Sequence, residues 1–81
     1  MSPRAIQDID GFRFFFFSRE NHEPPHIHVE KGDGLEKWWL TPTPVRVYSV
    51  GFKTGEQRRT EELIHEHQQA LLQAWHKHFG G

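Results

Sequence analysis

Eight residues, His22-Glu23-Pro24-Pro25-His26-Ile27-His28-Val29, restrict the geometry of this chain more than any other segment. Each proline fixes its own φ and pushes the residue before it toward extended backbone. The pair is therefore a stiff elbow with His22 on its near side. Beyond it, strand alternation puts His26 and His28 on one side and Ile27 and Val29 on the other. Imidazoles titrate near neutrality, and three of them on a rigid mount define a candidate site.

The rest of the N-terminal half reads as strands. Residues 1–9 form an arm with a short strand from Ile6 to Ile9, ended by the Asp10-Gly11 turn signal. Phe12 to Arg19 is strand one. Its aromatic residues fall on both faces, which fits a central strand covered on two sides. Strand two runs from His26 to Lys31. Gly32-Asp33-Gly34 marks a tight hairpin into strand three, Leu35 to Thr41, where Trp38 and Trp39 point to opposite sides. The prolines of Thr41-Pro42-Thr43-Pro44 cannot donate to a ladder, so this stretch is an exposed connection. Val45 to Val50 is the fourth strand.

Thr54-Gly55-Glu56-Gln57 resembles a capping box with Thr54 as N-cap, and one long helix is expected from about 55 to 79, stopped by Gly80-Gly81. At helical spacing Leu63, Ile64, Ala70, Leu71, Ala74 and Trp75 share an arc of roughly 140°. The order of elements predicts a single α+β domain over residues 1–81, with a three- to four-stranded antiparallel sheet and the helix packed on one face.

Composition narrows the function classes. The chain has no cysteine, which removes disulfides and thiolate metal sites and is compatible with the cytoplasm. No apolar run reaches membrane-spanning length, so no membrane partner is expected. The formal net charge is −1, too close to zero for the broad basic field of nonspecific nucleic-acid binding. The cations are concentrated before the apolar part of the helix, leaving room for a local basic patch.

The other four of the seven histidines lie in the helix. His65 falls on the outer face with His76, both read as surface residues, and His78 is placed to meet the last carbonyls. His67 sits amid Leu63, Leu71 and Ala74. It is either a core histidine bonded to a carbonyl or an acid/base group facing the sheet. If Ile27 and Val29 pack beneath the helix, His26 and His28 face away from it and His67 cannot join them within one chain.

The segment Glu20 to Val29, with its Pro-Pro-His-x-His-Val core, resembles the signature of a family of small bacterial proteins described as domain of unknown function 4160. The apolar strand after Gly11 is similar too, as is His67 followed eight residues on by Trp75. Trp38-Trp39 and the Thr-Pro-Thr-Pro stretch depart from the family's pattern. The resemblance marks His22, His26, His28 and His67 as functional positions. It also implies an arrangement of two small proteins encoded side by side, like toxin–antitoxin pairs. It implies no reaction, cofactor or substrate.

Three functions follow from these residues. The first is a partner-binding module, covered by another protein or a second copy through the aromatic sheet face. The second is a metal-independent ribonuclease-like toxin acting on RNA, with His26 and His28 as base and acid, His67 as a further candidate, and Arg13, Arg19 or Arg46 on phosphate. The third is a divalent metal site, zinc for example, ligated by His22, His26 and His28 and completed by Glu20, Glu23, Glu30 or a partner chain.

Overall fold

The computed structural model describes residues 4–17 and 22–80. Four strands, β1 (Arg13–Phe15), β2 (His26–Lys31), β3 (Gly34–Trp39) and β4 (Val45–Val50), precede two helices, α1 (Thr54–Glu66) and α2 (Gln68–Phe79). The strands form one antiparallel sheet in the order β1-β2-β3-β4.

Local chemistry accounts for the turns. Asp10 and Gly11 both take positive φ (53° and 82°), as a two-residue hairpin turn requires, and Ile9 and Phe12 exchange backbone hydrogen bonds across it. Gly32 (φ 57°) opens the turn between β2 and β3, where Lys31 pairs with Gly34. Gly34 then lets the Phe52 ring lie against its backbone, since a Cβ there would come within 2.3 Å of that ring.

Register sorts the side chains onto two faces. Phe14, Val29 and Glu36 are aligned across β1, β2 and β3, as are Ile27 and Trp38, and this face meets the helices. The core joins Phe12, Phe14, Phe16, Ile27, Val29, Trp38 and Leu40 to Leu63, Ile64, Leu71 and Trp75. The opposite face carries the rows Phe15–His28–Lys37–Tyr48 and His26–Trp39–Val45.

Several expectations are corrected. The single long helix is two helices, separated at His67 (φ −105°, ψ 16°). Backbone hydrogen bonds still bridge the junction, from His67 N–H to Leu63 O and from Leu71 N–H to His67 O. The apolar stripe is continuous across it, so periodicity carries no trace of the interruption. The Gln68 amide donates to Leu40 O at 2.8 Å and fastens the junction to the end of β3. Lys53, not Thr54, is the N-cap, because the Glu56 carboxylate reaches back to the Lys53 N–H at 2.9 Å. The chain before Asp10 makes an isolated bridge at Arg4 and another at Ile9 in place of a strand from Ile6 to Ile9.

Strand one is shorter than expected and ends the sheet, where a central position was expected. Its outer side is covered by the N-terminal segment, with Ala5 N–H donating to Phe14 O at 2.7 Å. The expected end of that strand at Arg19 lies outside the described residues. β3 runs Gly34–Trp39, one residue earlier at its start and two at its end than the expected Leu35 to Thr41. Among the described residues no helix is long and apolar enough to cross a membrane.

Candidate functional site

The double-proline elbow delivers β2 into the sheet as its sequence demands. Pro25 O accepts from Leu40 N–H at 3.0 Å, so β2 is held against the end of β3 from its first residue. His26 and His28 follow with their ring centroids 5.3 Å apart and nearly perpendicular. Both are buried, at 0 % and 2 % exposure. His26 Nδ1 lies 3.0 Å from Pro24 O, so in the tautomer protonated at that nitrogen the imidazole donates to the elbow that positions it. Around His26 stand the rings of Trp39 at 5.8 Å and Trp75 at 4.9 Å. Around His28 stand Phe15, stacked at 5.7 Å, and Phe17, edge-on at 4.3 Å. Lys37, opposite His28 in register, pairs with Glu23 at 2.7 Å and lies over the Trp39 ring. The arrangement is an aromatic box around two imidazoles.

The other candidate residues are scattered. His22 is exposed, while His67 is half-buried at the junction of α1 and α2. Its sequence companion Trp75 is the residue that reaches His26. His78, placed by sequence at the last carbonyls, is exposed and stacks on Phe16 at 5.7 Å. Arg13 is paired with Glu30 at 3.2 Å on the face that carries His28. Arg46 is aligned with Trp38 and so lies on the helix-facing side, away from the two buried histidines. Arg19 and Glu20 lie outside the described residues. Among the described residues, no three His, Asp or Glu are grouped so as to hold a metal ion.

A second polar cluster went unnoticed in the sequence. Glu36 is fully buried, yet its carboxylate accepts from Trp38 Nε1 at 2.8 Å, Arg46 Nε at 3.2 Å and Ser49 Oγ at 2.7 Å. Arg46 also donates to Gln57 O at 2.7 Å and stacks its guanidinium 4.5 Å over Trp38. Gln57 Nε2 donates to Ser49 Oγ, and Thr60 Oγ1 donates to Gln57 O. Every strong donor and acceptor here has a partner, which is what a buried charge pair needs to survive. The cluster welds α1 to β3 and β4. Alternation held the clue, since residue 36 must share a face with Trp38 and Leu40.

Farther out on α1, Arg59 donates to Asp10 at 2.7 Å and to Glu62 at 3.2 Å. The Asp10 hydrogen bond first, and the Glu62 one second, raise the Arg59 guanidinium above its ordinary value.

The model for the family described as domain of unknown function (DUF4160) matches residues 11–76, which include the elbow, the sheet and most of both helices. No curated protein and no solved structure matches the chain.

Proposed function

The chain belongs to the DUF4160 family, and we propose that it is a protein-binding component of a two-protein system, docking its partner on the sheet face opposite the helices. The exposed apolar side chains carry this reading. Phe17 (40 %), Val45, Tyr48 (37 %) and Val50 (63 %) lie on or beside that face, around half-buried Trp39. Solvated apolar residues grouped on one surface of so small a chain are usually covered by another protein. The aromatic box then has a mechanical role: His26 and His28, anchored by the elbow, hold Phe15, Phe17 and Trp39 in fixed positions for the partner. The family resemblance supplies the kind of partner, a small protein encoded alongside, and the lack of cysteine fits a cytoplasmic pair.

The ribonuclease reading receives less support from this geometry. An acid/base pair must touch solvent or substrate, whereas His26 and His28 are enclosed and Arg46 is on the other face. The metal reading would require exposed His22 to join two buried rings.

The test is co-expression with the adjacent gene product, followed by measurement of molar mass by light scattering. A complex that forms with the unmodified chain and is lost in Tyr48→Asp and Phe17→Ser supports the reading. No complex above micromolar concentrations overturns it. RNA cleavage that survives chelator and vanishes in His28→Ala would also overturn it. Elemental analysis of untagged protein decides the zinc alternative.

A further inference from the structure

The two outer edges of the sheet are treated differently. β1 is covered by the N-terminal segment, through Ala5 and the bridge between Arg4 and Phe15. β4 has no such cover among the described residues. It is six residues long and contains neither proline nor lysine, the residues that commonly blunt an exposed edge. Of its exposed hydrophobics, Val45, Tyr48 and Val50 belong to the docking face, whereas Val47 has no partner in the ladder with β3 and belongs to the edge alone.

A second feature lies beside this edge. At helical spacing α1 presents Thr54, Arg58, Glu61, Glu62 and His65, which with Arg46 line a shallow groove of about 490 Å³. α1 runs antiparallel to β4, because Ser49 meets Gln57 while Arg46 meets Thr60 and Glu61. A two-fold axis near Val47 reverses strand and helix together. It lays one β4 against another and brings the Arg58 end of one stripe to the Glu61 and Glu62 end of the other. Unlike charges meet, which is the self-complementarity an isologous contact requires.

We propose that β4 and this stripe form the seam of a homodimer in which two sheets join edge to edge. The register shift between Lys37 and Trp38 leaves Val47 outside the ladder with β3. Regular strand pairing across the seam is therefore short, and the helix stripes supply the specificity. This contact uses the edge of the sheet and stands apart from partner docking on its face.

Sedimentation equilibrium of the full chain over a range of concentrations tests the proposal. The unmodified protein is expected to dimerise. Val47→Lys and Arg58→Glu, both at exposed positions, should each weaken the dimer about tenfold or more. Combining Arg58→Glu with Glu62→Arg should restore it, because the swapped charges still oppose each other across the axis. Hydrogen exchange provides a second readout, with β4 amides protected in concentrated protein and released on dilution. A monomer at every concentration up to the millimolar range overturns the proposal. So does a dimer indifferent to Val47→Lys and Arg58→Glu, or one broken by Phe17→Ser, which would indicate packing through the face. Retained binding of the neighbouring gene product by Val47→Lys would show that the two surfaces act separately.

Discussion

Replacing Glu36 by alanine removes the acceptor of three donors at once. Trp38 is 2 % exposed, so its indole N–H loses Glu36 with no route to water. A buried donor left in that state costs about 1–3 kcal/mol. Arg46 suffers less, because its side chain is 28 % exposed and Glu61 lies 3.7 Å away. Ser49 keeps Gln57 as a neighbour. With the emptied volume added, the loss comes to about 3 kcal/mol, at the low end of the range for breaking a buried ion pair. A chain of this length holds roughly 4–12 kcal/mol of stability in total. The melting temperature should therefore fall by roughly 12–24 °C, at about 4–8 °C per kcal/mol. Urea unfolding at neutral pH, followed by circular dichroism and by tryptophan fluorescence, measures the free-energy loss, and a thermal melt measures the temperature shift. Glu36→Gln keeps the shape and an acceptor for Trp38, and should lose less. A deficit below about 1 kcal/mol in Glu36→Ala would refute the assignment of this cluster as the weld between α1 and the sheet.

Four further outcomes follow from local geometry. Gly34→Ala drives a methyl group into the Phe52 ring and should cost about 1–3 kcal/mol in urea unfolding. Gly55→Ala, with nothing within 4 Å of the new methyl, should be neutral or stabilising by up to about 1 kcal/mol. Gln68→Ala cuts the tie to Leu40 O and should lower stability by about 1 kcal/mol, with faster amide exchange around the helix junction. Trp75→Ala removes the ring packed on Phe16, Phe79 and His26 and should cost about 3–5 kcal/mol, together with altered His26 imidazole resonances in NMR spectra.

Much of the framework is decided by short-range rules acting on particular residues. Asp10-Gly11 and Gly32 must turn, because their positive φ values are those that such residues tolerate. The prolines at 24 and 25 must stiffen the approach to β2, and alternation must place His26 and His28 together and opposite Ile27 and Val29. Those rules are local, so the four strands, the α+β class and the existence of the imidazole pair are legible in the chain itself. Tertiary packing decided the rest. Burial of the two rings depends on Phe15 of β1, Phe17 beyond its end, Trp39 of β3 and Trp75 of α2 converging on them. The Glu36–Arg46 weld needs residues 10 positions apart plus a helix laid over them. The helix junction at His67 leaves no mark on the apolar period. Side-chain pattern specifies which face a residue occupies, whereas what covers that face depends on contacts between segments distant in the chain, and those exist only once it has folded.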